Sequence, residues 1–132
     1  MKITIVVDAQ PFFAALLGGT ARKIFFDPRF RFITTDFTLN EVKKYIPFIS
    51  EKSGKAEKDI MHALSLLPLV SYQEQYYQET RPKAEKLIGA RDPKDVDILA
   101  LVLMTQAALW TKIKILTEFP VLLLSIQRIC YK

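Results

Sequence analysis

The sequence predicts an α/β fold, a three-layer α/β/α sandwich around a central, mainly parallel sheet of four to five strands. Three observations carry that expectation. The run "ITIVV" (residues 3–7) is continuous and β-branched, which suits a strand buried on both faces. Strand-like and helix-like runs alternate along the chain, and helical crossovers between parallel neighbours are what such alternation builds. Half of the 132 residues are hydrophobic and a quarter are charged, the balance of one ordinary globular domain over residues 1–132.

The elements follow in order. After the first strand, "FFAALLGG" is rich in Ala and Leu and stops at Gly18 and Gly19, the pattern of a helix and its end. "ARKIFFD" predicts a second short helix ended by Pro28, and the alternating "FRFITT" (30–35) a second strand. In "TLNEVKKYIPFIS", Leu39, Val42, Tyr45 and Ile46 fall on one helix face, with a kink or break at Pro47. "KAEKDIMHALSLL" repeats the pattern at Ile60, Ala63, Leu64 and Leu67 up to Pro68, and "LVSY" predicts a short third strand. A polar helical stretch broken near Pro82 and capped at Gly89 precedes the apolar helix "DVDILALVLMTQAA". "LWT" and "KIKIL" close the sheet as short strands, and the tail forms a last helix.

Composition narrows the chemistry. Cys130 is the single cysteine and His62 the single histidine, so neither an internal disulfide nor a thiolate zinc set can close. A lone cysteine also suits a reducing compartment. The start "MKITIVVDAQ" reads as a strand ending in a charge rather than as a secretory leader. "FPVLLLSIQRIC" is about half the length a membrane span needs, so the expectation is a soluble, cytoplasmic protein with no membrane partner. A net charge of +5 suits a polyanionic partner, nucleic acid first, although solvated surface lysines give the same balance.

The acidic residues carry more information. "ARDPKDVDILALVL" (90–103) places Asp92, Asp95 and Asp97 at the head of an apolar helix. Asp8 follows the first strand directly, and Glu41 sits in the opening turn of the helix after the second. In a parallel α/β sheet, strand C-termini and helix N-termini gather at one edge, so acids from three distant segments can converge there. Each of the later acids also has a local explanation. Asp92 or Asp95 can cap a helix, Glu41 can close a capping box begun at Thr38, and any of them offsets a helix dipole. Asp8 is harder to explain locally, because it ends a core strand where an unpaired charge is costly. Clustered carboxylates repel unless a cation lies among them, and hard oxygen ligands without His or Cys suit Mg²⁺ or Mn²⁺. A divalent ion in a basic protein points to phosphodiester chemistry.

"IVVDAQ", "FITTDFTLNEV", "ARDPKDVDILALVL" and "ALWT", in that order and at this length, resemble a PIN domain over residues 1 to about 116. The resemblance implies a metal-dependent endoribonuclease, most often the toxin of a toxin–antitoxin pair of the VapC type. It implies that Asp8, Glu41 and Asp95 bind the catalytic Mg²⁺ or Mn²⁺, with Asp92 as a further acid. Thr35 stands where small hydroxyl residues line the site, and Asp97 is a supporting charge. Two positions depart from the family pattern. Gln10 replaces the usual Asn two residues after Asp8, a longer amide that can still fold back on it. After Thr111, Lys112 and Ile113 stand where a fourth acid is usual, which implies weaker metal affinity.

Under this reading the RNA contacts are Arg22, Lys23, Lys43, Lys44, Arg91 and Lys94, which neighbour the expected site edge. His62 is expected on a helix surface or in the core, away from the chemistry. The apolar "PFFAALLGG" and the tail imply core packing, with a homodimer face or an antitoxin groove as the sharper reading. The alternative function is a catalytically weakened or inactive PIN-fold protein that binds RNA or a partner. A third reading is a generic α/β binding domain whose acids are caps and solvated charges.

Overall fold

The computed structural model describes residues 2–111. Within them lies a four-stranded, all-parallel sheet of β1 (Ile3–Val7), β2 (Phe30–Thr35), β3 (Leu69–Tyr72) and β4 (Ala108–Trp110), in the order β3-β2-β1-β4. The chain walks outward from β1 to β2 to β3, then returns to place β4 on the far side of β1. That reversal makes the β1/β4 seam a topological switch point, and ligands of parallel sheets bind beyond the strand ends at such points.

Right-handed crossovers fix where the helices go. The outward walk puts α1 (Ala9–Leu16), α2 (Thr20–Phe25), α3 (Asp36–Lys44), α4 (Ile46–Ser53) and α5 (Glu57–Ser65) on one face. The return puts α6 (Glu74–Tyr77), α7 (Arg81–Ile88) and α8 (Val96–Thr105) on the other. Packing agrees: α1 meets α2, α3 and α5, while α8 lies on β1 and β2 beneath α6 and α7. The three-layer α/β arrangement read from the sequence is therefore the one observed. The strand expected at "KIKIL" and the tail helix lie outside the described residues.

β1 and α8 form the centre. Ile5, Val6 and Val7 are buried, as is every residue of α8 from Val96 to Val102. Phe25, Phe32 and Trp110 close one side, their ring centroids 5.0 to 5.6 Å apart. Burying rings of this size removes a large apolar area from water, the main drive for folding. Among the described residues no helix is long and apolar enough to cross a membrane.

Several boundaries differ from the sequence expectation. α3 begins at Asp36, because Thr35 is the N-cap and its hydroxyl accepts the Thr38 N–H at 2.9 Å. No capping box begins at Thr38, and Glu41 stands in the second turn rather than the first. Of the kink or break expected at Pro47, the structure shows the break, two residues earlier at Tyr45. Pro47 occupies the first turn of the new helix, where its missing N–H costs nothing. Likewise the break in the polar stretch falls before Pro82, which starts α7. α8 ends at Thr105, three residues short of the expected run, with its C-cap Gln106 in the left-handed conformation (φ 57°).

Candidate active site

Asp8 is the anchor of the site. Its N–H donates to the Trp110 carbonyl at 3.0 Å, which continues the β1/β4 ladder by one bond beyond the strands. Its carboxylate Oδ1 accepts the Ala9 N–H at 2.7 Å, making Asp8 the N-cap of α1. Its Oδ2 accepts the Thr111 hydroxyl at 3.0 Å. Beside it, the buried Thr34 hydroxyl donates to the Val7 carbonyl at 2.7 Å and ties the ends of β1 and β2 together. Burial raises the Asp8 pKa above the ordinary carboxylate value, against the lowering effect of the Ala9 and Thr111 donors. Among the described residues each carboxylate oxygen accepts one hydrogen bond, fewer than its lone pairs allow.

A cleft of about 490 Å³ opens above this point, and Asp8, Glu41 and Asp95 all line it. β1 with its turn supplies Asp8, α3 supplies Glu41, and the single 3₁₀ turn Pro93–Asp95 that leads into α8 supplies Asp95. The local capping explanations fail for two acids of the "RDPKD" motif, since neither Asp92 nor Asp95 makes a side-chain cap bond. Glu41 is half-buried, and the exposed Lys44 reaches it at 3.2 Å. Asp92 does not line the cleft; its carboxylate accepts the Arg91 Nε–H at 2.8 Å.

Asp97, expected as a supporting charge, serves another place. It is 4% exposed, accepts the Tyr77 hydroxyl, and pairs with Arg81 at 3.2 Å. Arg81 also meets Glu74 and Glu85 at 3.4 and 3.6 Å. Burial, with Asp97 beside it, pushes the Tyr77 phenol upward. This knot fastens α8 to α6 and α7. Thr35 is fully buried, its hydroxyl shared between the Thr38 N–H and the Thr38 hydroxyl, so Thr38 rather than Thr35 faces the cleft. Gln10 lines the cleft but makes no hydrogen bond to Asp8.

The basic residues divide. Lys94 lines the cleft and Lys44 holds Glu41. Arg22 and Lys23 lie in the last turn of α2, outside the cleft lining. Lys43 borders a separate depression with Leu39 and Met61. Lys52, which sequence reasoning did not single out, lines the cleft, and so do Phe13, Tyr45 and Phe48. The signal for these existed: Tyr45, Phe48 and Lys52 follow at i, i+3 and i+7. His62 is exposed on α5.

Among the described residues no three His, Cys, Asp or Glu side chains gather closely enough to hold an ion unaided. The donor set is still a hard-oxygen one, open to the cleft and anchored on a carboxylate that burial disfavours as an anion. That suits an ion such as Mg²⁺, which keeps several of its waters and reaches part of its ligands through them.

The fold is thus a parallel α/β domain whose switch-point cleft brings together three carboxylates and two lysines. A model of the PIN domain matches residues 6–125, and the chain belongs to the PIN domain family, whose members are generally nucleases. No curated protein matches the chain.

Proposed function

We propose that the protein is a Mg²⁺- or Mn²⁺-dependent endoribonuclease that cleaves single-stranded RNA, acting as the toxin of a toxin–antitoxin pair. The observation that carries the reading is the convergence of Asp8, Glu41 and Asp95 on one cleft at the β1/β4 switch point. When bound, the ion supplies Lewis-acid stabilisation of phosphoryl charge and an acidified water.

The chain's own groups define the rest. Asp8 is held in orientation from both sides, by the Ala9 N–H and the Thr111 hydroxyl, and the lone pairs these two donors do not use would face the cation shell. Glu41 and Asp95 would close the set from α3 and the 3₁₀ turn, and Lys44, 3.2 Å from Glu41 Oε1, competes with a cation for that oxygen. The Thr38 hydroxyl, in the same cleft wall, orients a water or a phosphate oxygen. Lys94 at the rim attracts the RNA backbone. Partners in this reading are RNA, an antitoxin and a second copy of the chain.

A second reading has its own observation. The carboxylates are not gathered into a closed metal site among the described residues, and Lys112 follows Thr111 where the family pattern has an acid. That favours a weakened PIN-fold protein that binds RNA without cutting it. Incubating labelled single-stranded RNA with Mg²⁺ or Mn²⁺, against EDTA and Asp8→Asn controls, separates the two. Cutting that needs both the ion and Asp8 supports the nuclease. A folded protein that never cuts, and whose melting temperature Mn²⁺ leaves unmoved, refutes it.

A further inference from the structure

The cleft has two chemically different ends. One holds the carboxylates. The other is an aromatic wall that the hydrophobic core does not use: Tyr45 is 47% exposed and Phe48 60% exposed, yet both face the cleft. Single exposed aromatics are common on any surface and need no explanation. Here two stand together and a third supports them. The Phe13 and Tyr45 rings meet edge to face, with centroids 5.4 Å apart and planes at 71°. That contact fixes Tyr45 without covering it.

The backbone explains the arrangement. Tyr45 ends α3 and caps α4, so it stands at the break between the two helices, outside both. Tyr45, Phe48, Ile49 and Lys52 then follow the i, i+3, i+4, i+7 spacing of one helix face, and all four line the cleft. From Tyr45 to Lys52 the stripe runs about 10 Å along the axis. Ile49 is buried and anchors the stripe, while Lys52 ends it with a positive charge.

We propose that Tyr45 and Phe48 form a stacking platform for an unpaired base of the RNA, and that Lys52 takes the adjoining phosphate. Flat exposed rings beside a cation, in continuity with an acidic cleavage site, are the two components by which proteins hold single strands. Charge supports a polyanion: the protein carries a net +5, and Lys52 and Lys94 both border the cleft. No polar side chain stands on the stripe between Tyr45 and Lys52 facing the cleft, so selection there is for an unpaired base and not for a particular sequence. A base locked in a duplex cannot reach the rings. The inference rests on the RNA reading above, but not on cleavage.

The test is anisotropy of a labelled single-stranded RNA 12-mer in EDTA, compared with the same oligomer as a duplex. Phe48→Ala and Tyr45→Ala are expected to weaken single-strand binding about tenfold each, within the range for losing one base–aromatic stack. Phe48→Trp and Tyr45→Phe should retain it, and Lys52→Ala should flatten the salt dependence. Melting curves confirm that each variant folds. Unchanged affinity in both alanine variants overturns the platform, as does wild-type protein with no preference for single strands. So does an unchanged RNA affinity accompanied by loss of a homodimer, which would make the stripe a protein interface. Failure of the two proposals is distinguishable. Ring-dependent binding without metal-dependent cutting removes the nuclease and keeps the platform; cutting with ring-independent binding does the reverse.

Discussion

Replacing Asp8 by Asn should stabilise the metal-free protein, because the wild-type carboxylate is held where burial disfavours its charge. Both of its hydrogen bonds survive the change. The amide oxygen can accept the Ala9 N–H, and the amide nitrogen can donate to the Thr111 hydroxyl, at the 2.7 and 3.0 Å separations already present. What is lost is the charge assistance of two bonds, of order 1 kcal/mol each. What is gained is relief from desolvating an anion, which runs to several kcal/mol. The raised pKa of Asp8 shows that desolvation is the larger effect. Relieving such a site typically yields about 1 kcal/mol, roughly 4 °C in melting temperature for a domain this size. In EDTA the variant should melt higher. With Mn²⁺ at ten times its Kd, the wild type gains about 1.4 kcal/mol and the order reverses.

The pH dependence has a definite sign. The native state holds the Asp8 proton more tightly than the unfolded chain, so wild-type stability falls as pH rises from about 4 through the raised native value, then levels. The variant lacks this loss. Its lead in EDTA should therefore be full at neutral pH and vanish in acid. Differential scanning calorimetry from pH 3 to 8, with and without Mn²⁺, reads all of it. A variant that melts below the wild type in EDTA, or Mn²⁺ shifts equal in both proteins, would refute the reasoning.

Other perturbations probe neighbouring contacts. Tyr77→Phe removes a hydrogen bond to the buried Asp97 carboxylate and should cost about 1.5–3 kcal/mol in urea unfolding, with the Mn²⁺ shift intact; a lost metal response at unchanged stability would return Asp97 to the site. Lys44→Ala frees Glu41 from an exposed partner, and calorimetric titration should show Mn²⁺ binding tightened by a factor of about two to five. Thr111→Val removes a donor that lowers the Asp8 pKa, so the acid limb of the cleavage profile should move to higher pH. Gln106→Gly relieves a left-handed, non-glycine residue at the end of α8 and should raise stability by about 1 kcal/mol in chemical denaturation.

The parts of this molecule that were legible in the sequence are those set by periodicity and chain order. β-branched runs located the strands, and the rule that strand ends and helix starts share an edge brought Asp8, Glu41 and Asp95 to one cleft. Side-chain direction within a turn was not legible. "FITTDFT" offers several capping residues in a row, and only tertiary packing decides that Thr35 caps while Thr38 turns to the cleft. Asp97 lies two residues beyond Asp95, yet that step rotates it about 200° around the helix, from the cleft to Tyr77 and Arg81. By spacing Tyr45 falls on one helix face with Leu39, Val42 and Ile46. It stands instead at the break between α3 and α4, so the aromatic stripe could not be seen before the fold.

The bond from Thr111 to Asp8 joins residues 103 positions apart. In a chain made from its N-terminus Asp8 precedes Thr111 by that whole span, and β1 keeps one edge unpaired until Ala108–Trp110 exists to fill it. The carboxylate cannot gain its Thr111 donor before then, although Asp95 has already been made. Completion of the hydrogen-bond set around Asp8 thus waits until the chain has been made through Thr111, well after β2, β3 and the helices that flank them.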